Sequence, residues 1–281
     1  MKKKIFAVSD MHNCFKDLTD ALKKAGYDEN NPNHLLVTIG DAFDREGNGG
    51  GALTMYQYLK RLSDEGKAIV LRGNHTTFFE QYLNGTTLSA FNYLHNGTDE
   101  TFADFLGETN PFGTWCVFNN INFPTNMDFV KWLDYATNQI KADNPELLEW
   151  LKERPYYFET ENYIFTHASI DTNVEDWHTP EKNYHDHFYG WEACTWDDGS
   201  FWKTATSKIP KTVVIGHFHT RQLRRMYDIK DKLDIDDILV REDNKIIALD
   251  GCTNLSHRVN VFVVEDEIDW GSMETCKRFW R

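Results

Sequence analysis

Residues 35–45 read Leu-Leu-Val-Thr-Ile-Gly-Asp-Ala-Phe-Asp-Arg. Leu35 to Ile39 form a short apolar, β-branched run, and Gly40-Asp41 closes it. Such a run with turn residues behind it reads as a buried strand. The arrangement recurs four more times. Ile5-Phe6-Ala7-Val8 leads into Asp10-Met11-His12, and Ala68-Ile69-Val70-Leu71 into Gly73-Asn74-His75. Tyr163-Ile164-Phe165 leads into His167, and Thr212-Val213-Val214-Ile215 into Gly216-His217-Phe218-His219. In open α/β sheets, sites form at the carboxyl ends of the strands. The series therefore predicts one cluster of donors: Asp10, His12, Asp41, Asn74, His167, His217 and His219. That is too many donors for one cation and suits two.

Working outward, the first half alternates strand and helix. Phe15, Leu18, Leu22 and Ala25 fall at helical spacing, with Gly26 as a stop. Leu53, Tyr56, Leu59 and Leu62 mark a second helix that ends near Gly66. A βαβαβ opening argues for a parallel sheet. Residues 76–155 read as a helical insert beside the sheet, with helices over 101–106, 128–141 and 145–154. Pro145 suits a first helical position, and no chemistry is legible in this region. Residues 171–211 form an acidic loop rich in aromatic residues, with Trp177, Trp191, Trp196 and Trp202. A loop this long is usually functional or mobile. Lys245–Leu249 and Val259–Val264 read as strands of an antiparallel second sheet. The fold class is α/β: an αββα sandwich of two mixed sheets flanked by helices, a single domain over 1–281.

Bulk properties narrow the function. The net charge of the 281 residues is −14, whereas a nucleic-acid binder normally presents a basic face. Arg221, Arg224 and Arg225 make the one local basic cluster. No run approaches the ~18 apolar residues of a membrane span. The apolar run after Lys2-Lys3-Lys4 stops at Ser9-Asp10, far short of a secretory signal core. Five scattered cysteines read as free thiols in a reducing compartment. The expected location is the cytoplasm, with no membrane partner and no nucleic acid.

Asp-x-His, Gly-Asp-x-x-Asp-Arg, Gly-Asn-His, His and Gly-His-x-His, in this order over residues 10–219, resemble the calcineurin-like metallophosphoesterase superfamily. Asp44-Arg45 and Leu71-Arg72 resemble in particular its phosphoprotein phosphatase branch, with phage and bacterial members. The resemblance implies an αββα sandwich and two divalent metal ions, manganese first, with iron or zinc as alternatives. It gives Asp41 the bridging position. Asp10, His12 and His219 would serve one ion, and Asn74, His167 and His217 the other. His75 is implied as a general acid rather than a ligand, an imidazole whose pKa lies near working pH. Asp44 would orient it, and Arg45 would offer a planar fork to phosphate oxygens. Asn74 and Arg221 join Arg45 as substrate-contacting candidates.

The implied activity is hydrolysis of a phosphomonoester, with a serine/threonine phosphoprotein or a small phosphoester as substrate. Hydrolysis of a dinucleoside polyphosphate or nucleotide is the alternative, since stacked aromatics of the 171–211 loop can hold a base. A silent binding module would not need the full donor set. Several positions depart from the pattern: Asn13 and Glu46 stand where glycine is usual, and Thr76 where an acid is. No arginine occurs between residues 155 and 220, where such protein phosphatases carry a second phosphate clamp. Lys182, Lys203, Lys208, Lys211 or Arg221 are the available substitutes. His185 and His187, in the aromatic loop, are secondary candidates.

Overall fold

The opening elements are β1 (Lys2–Val8), α1 (Phe15–Ala25), β2 (His34–Thr38), α2 (Ala52–Asp64) and β3 (Ala68–Val70). A computed structural model describes residues 2–45, 51–86, 90–205, 209 and 211–268. The three strands are parallel, with Val8 opposite Thr38 and Thr38 opposite Val70. This register makes them run out level with one another. The turns beyond them, carrying Asp10, Asp41 and Asn74, therefore emerge along one rim.

A helical layer comes next: α3 (Asn74–Leu83), α4 (Ala90–His95), α5 (Thr98–Leu106), α6 (Pro111–Phe118), α7 (Asn126–Asp143) and α8 (Leu147–Lys152). The Thr125 hydroxyl accepts from Asp128 N while Asp128 accepts from Thr125 N, a reciprocal cap that starts α7. The expected helix from Pro145 begins two residues later, at Leu147, with Glu146 as its cap. Asn144 and Pro145 instead complete the turn out of α7.

The second sheet contains β4 (Tyr157–Glu159) and β5 (Tyr163–Thr166). A hairpin of β6 (Asn183–Tyr184) and β7 (Phe188–Tyr189) stands apart from it. Then come α9 (Gly190–Cys194), α10 (Ser200–Thr204), β8 (Thr212–Ile215), α11 (Thr220–Met226), β9 (Leu239–Val240) and β10 (Ile246–Ala248). The chain continues through α12 (Thr253–Ser256) and β11 (Phe262–Glu267). The strand orders are β11-β1-β2-β3 and β4-β5-β8-β10-β9. Both sheets are mixed: the first is parallel except for β11 at one edge, and the second has a parallel centre with antiparallel β4 and β9 at its edges.

Strand alternation builds the layers. In β1, Phe6 and Val8 pack into the helical layer, while Ile5 and Ala7 face the second sheet. In β8, Val214 joins the space between the sheets, whereas Val213 and Ile215 meet Phe201, Trp202 and Leu223 on the outer side. The middle layer gathers Leu35, Val37, Ile39, Phe158, Phe165 and Leu249. Each such buried side chain contributes about 1.5–3 kcal/mol against leaving it in water. Two sheets sharing this apolar layer, each with helices on its outer face, make the αββα sandwich.

The expected C-terminal strands part company. β10 lies parallel to β8 in the second sheet, but β11 closes the first sheet antiparallel to β1. The second of these strands also starts late. Val259 is buried in the core under the helices, and Asn260 Nδ2 donates to the carbonyls of Leu249 and Asp236. These residues anchor the crossing between sheets, and pairing begins only at Phe262.

The aromatic segment is more regular than its sequence suggests. Trp191 stacks on Tyr157 at 4.7 Å, Trp177 meets the same ring edge-on at 5.1 Å, and Trp202 is buried in the outer core. These three pin the segment to the second sheet. Among the described residues no helix is long and apolar enough to cross a membrane.

Candidate metal centre

β1 ends at Val8, so Asp10 and His12 are not placed by the alternation of an extended strand. Their φ angles are 51° and 47°, in the left-handed region, and that of Asp41 is 48°. Tight turns rather than pleats aim these side chains. His12 N donates to Asp41 O, and Asp10 N to Gly40 O, so the two strand-end turns hold each other.

Two compact donor groups result among the described residues. Asp10, His12 and Asp41 bring ligand atoms within 4.8 Å of one another, and so do Asp41, His167 and His217. Asp41 belongs to both. Asn74 Oδ1 lies 3.0 Å from His167 Nε2 and 3.0 Å from His217 Nδ1, joining the second group. His219 lies outside both compact groups, with Nε2 3.7 Å from Asp250 Oδ2.

Backbone carbonyls fix the imidazole tautomers. A carbonyl can only accept, so His12 Nδ1 donates to Phe43 O at 2.9 Å and His167 Nδ1 donates to Ile39 O at 2.8 Å. Each ring then turns its Nε2 inward, the nitrogen that a metal-binding histidine offers once deprotonated. Close packing fixes the positions. Gly40 has φ +85°, and a Cβ there would lie 2.4 Å from His167 Nδ1. A Cβ at Gly73 would lie 2.1 Å from Asp41 Oδ1.

The electrostatics suit cations. Burial lowers His217 to about 3 and His219 to about 4, and it holds His12 well below its usual range. Neutral imidazole is the form that binds a metal. Burial would also depress His167, but Asp41 and Asp10 outweigh it and push the group up to about 9. Burial raises Asp10 to about 6, with Asp41 adding to the rise. For Asp41, burial alone would raise the carboxyl, but the charges of His167 and His75 bring it well below the usual range. Carboxylates and imidazoles crowded in this way are what a pair of divalent ions would neutralise. The mixed oxygen and nitrogen donor set fits manganese, iron or zinc.

Beside the donors stands a second device. His75 Nδ1 donates to Asp44 Oδ2 at 2.8 Å, and its Nε2 points to Asp41 Oδ2 at 4.0 Å. The ring thus presents its free nitrogen to the shared carboxylate while its other end is anchored. Arg45 is half-buried next door, and its charge helps depress His12 and His219. Phe78 abuts His75 edge-on at 5.7 Å, and Trp196 abuts His217 at 5.7 Å.

Other candidates are committed elsewhere. Asp236 grips Arg221 by two hydrogen bonds of 2.6 and 2.5 Å, occupying its fork. Lys211 pairs with Glu159 at 2.6 Å, and Lys203 is exposed. Lys182 Nζ donates to Ser169 Oγ and to Trp196 O, close to the aromatic border of the site. Lys208 and Glu46 lie outside the described residues. His185 and His187 are exposed on the β6–β7 hairpin.

Four contributing residues had no role in the sequence reading. Asp250 is buried beside His219, and burial together with Asp10 raises its carboxyl well above the usual range. Its signal was present: Ile246–Leu249 is one more apolar run ending on Asp-Gly. Asn13, where glycine is usual, donates to Arg45 O at 2.8 Å. The helical region, read as chemically silent, sends the hydroxyls of Thr98 and Thr101 to Asp44, and nothing in their spacing announces this.

A calcineurin-like phosphoesterase family model matches residues 3–221. No curated protein matches this chain at a significant level. Among solved structures, the chain resembles the cold-active protein-tyrosine phosphatase of a psychrophilic Shewanella species. That likeness has a TM-score of 0.53 and 18% identity, over 93% of this chain and 75% of that one. A provisionally assigned diadenosine tetraphosphatase gives a TM-score of 0.48 at 15% identity, over 96% of this chain and 95% of that one. A protein serine/threonine phosphatase from Saccharomyces cerevisiae gives 0.46 at 11%, over 95% and 80%. The first likeness supports the fold; the other two are too distant to carry an argument. The family match spans every strand-end motif from Asp10 to His219, and the chain belongs to the calcineurin-like phosphoesterase family, a family of phosphoester hydrolases.

Proposed function

We propose that this chain is a dinuclear metal-dependent phosphomonoesterase of the phosphoprotein phosphatase type. The observation that carries the reading is the position of Asp41, common to both donor groups, with the His75–Asp44 pair directly beside it. Asp10, His12 and Asp41 would hold one ion, with His219 nearby, and Asp41, Asn74, His167 and His217 the other. When bound, such a pair lowers the pKa of a water and offsets phosphoryl charge.

The chain's own residues then divide the work. Arg45 holds two phosphoryl oxygens through its fork. The oxygen of a water that has given one proton to solvent forms the new bond to phosphorus as the bond to the leaving oxygen breaks. His75 delivers its Nε2 proton to that oxygen, while Asp44 holds the ring in place through Nδ1. An alkoxide leaving group needs this proton far more than a phenolate does. The anchored acid therefore favours serine or threonine phosphoesters. With Arg221 held by Asp236, Lys182 at the Trp196 border is the better-placed second cation. We read the whole chain as one domain working in the cytoplasm, in keeping with the buried thiols of Cys116, Cys194 and Cys252, which form no disulfide among the described residues.

One observation favours a second reading. Phe78 and Trp196 border His75 and His217, and Trp196 in turn stacks with Tyr184 at 5.8 Å and Phe188 at 5.1 Å. An aromatic border of this kind suits the base of a nucleotide or dinucleoside polyphosphate.

The deciding assay compares a phosphoserine peptide with diadenosine tetraphosphate on manganese-loaded protein, with His75→Asn as control. Faster peptide turnover is expected. Faster dinucleotide cleavage would replace the first reading with the second. His75→Asn should keep its metal and lose about 10²-fold or more in kcat on the peptide.

A further inference from the structure

We propose that Thr98 and Thr101, on the first turn of α5, are positioning residues that lock Asp44 behind the general acid. The inference rests on the reading of His75 as that acid.

Asp44 is completely buried, and a buried carboxylate is costly unless hydrogen-bonded. Its acceptors are filled in a defined way. Oδ2 takes His75 Nδ1 at 2.8 Å and Thr98 Oγ1 at 3.1 Å, while Oδ1 takes Thr101 Oγ1 at 2.9 Å. A threonine hydroxyl has one proton and two lone pairs. Thr101 gives its proton to Asp44 Oδ1 and accepts from Asp44 N at 2.9 Å and Asn13 Nδ2 at 3.4 Å. The hydroxyl is saturated and oriented.

Three residues apart, Thr98 and Thr101 lie on one helix face, and both are fully buried. A purely structural threonine in a helix commonly bonds back to a preceding carbonyl. These two turn to the carboxylate of a residue more than fifty positions away.

The same segment holds the next residue. Arg45 N donates to Gly97 O at 3.1 Å, and Arg45 O accepts from Asn13. A Cβ at Gly97 would lie 2.4 Å from Arg45 N. Asp44 and Arg45 have φ of 67° and 63°, a region disfavoured for residues bearing a Cβ. The turn into α5 and its first residues therefore impose the backbone of the Asp-Arg pair. The helical region is a working part of the acid, although it supplies no group that touches substrate.

The test uses Thr98→Val and Thr101→Val, which remove the hydroxyls at nearly constant shape, with Thr98→Ser and Thr101→Ser as rescue. Turnover of a phosphoserine peptide is compared with that of p-nitrophenyl phosphate, whose leaving group needs little protonation. The loss on the peptide should exceed that on p-nitrophenyl phosphate by about tenfold or more. It should fall in kcat rather than KM, and serine should restore it. In zinc-loaded protein, the downfield proton of His75 Nδ1 should shift or broaden in the valine variants.

Equal losses on both substrates, with an unmoved Nδ1 proton, would overturn the proposal. Thr101→Val leaves Asp44 N–H without its acceptor and is the harder variant to fold. Thr98→Val removes one donor only and carries the same comparison. His75→Asn is run alongside. If it shows no dependence on leaving group, the acid reading itself falls. If it does and the threonine variants do not, only the present inference falls.

Discussion

Gly216→Ala would test how tightly the centre is built. Gly216 lies just past β8, and its φ is not in the left-handed region, so an alanine backbone is permitted. The cost is contact alone. The added methyl would lie 1.6 Å from Ser9 Oγ and 2.2 Å from Asp10 Oδ2, where ordinary contact begins at 3.4 Å. Asp10 Oδ2 would have to retreat by about 1.2 Å and the Ser9 hydroxyl by about 1.8 Å to reach that distance. Retreat also breaks the bond from His217 N to Asp10 Oδ2, now 2.9 Å. A misplacement of ~1 Å at a reacting centre costs on the order of 10²-fold in rate. Manganese affinity by calorimetry and kcat on p-nitrophenyl phosphate should both fall, while the far-ultraviolet spectrum stays native. Gly85→Ala is the control. It has φ +80° but nothing within 4 Å of the added carbon, so it should lose about 1 kcal/mol of stability and keep its turnover. Unchanged metal affinity and kcat in Gly216→Ala would refute the claim that Asp10 is held by contact with the β8 turn.

Three further outcomes are expected. Asp41→Asn should reduce bound metal from two ions to fewer than one by elemental analysis, together with kcat; retention of both ions would sink the shared carboxylate. Because His167 is held at about 9 in the metal-free protein, metal uptake at pH 7.5 should expel about one proton, read by calorimetry in buffers of different ionisation enthalpy. The sign is set by a raised pKa. The charged His167 stabilises the metal-free fold fully below its ordinary 6.5, and this is lost as pH rises through about 9, while metal affinity climbs over the same range. Zero proton release would contradict this. Phe165→Ala, emptying a position fully buried between the sheets, should cost about 3–5 kcal/mol in urea unfolding, and a loss below ~1 kcal/mol would mean that the layer repacks.

The strands bearing the site were legible because each is a short apolar run stopped by a polar turn. Leu35–Ile39 and Thr212–Ile215 cannot be solvated, and the polar residues beyond them must turn. The alternation of Ile5, Phe6, Ala7 and Val8 between two buried layers was hidden, since all four are apolar. For the same reason the partner of β11 could not be read: Val263 and Val264 would suit either sheet. Short edge strands such as Leu239–Val240 offer too few residues for a period. At the site, the donors were legible from residue type, whereas their supports were not. Thr98, Thr101 and Asn13 act through contacts formed only when α5 packs behind the β2 turn. Trp196 looked like its three neighbours, and only the fold separates the one that reaches His217 from those that pin the segment down.

The two donor groups also differ in how much of the chain must come together before each exists. Asp10, His12 and Asp41 all lie just past strands of the first sheet, joined by one crossover through α1. Asp41, His167 and His217 require both sheets to be docked face to face. The first group closes a short loop of chain and the second a long one, and closing a longer loop costs more entropy. An ion entering during refolding should therefore meet the first group early and the second only after the sandwich has closed. Occupancy of the second position then becomes a chemical record of completed assembly.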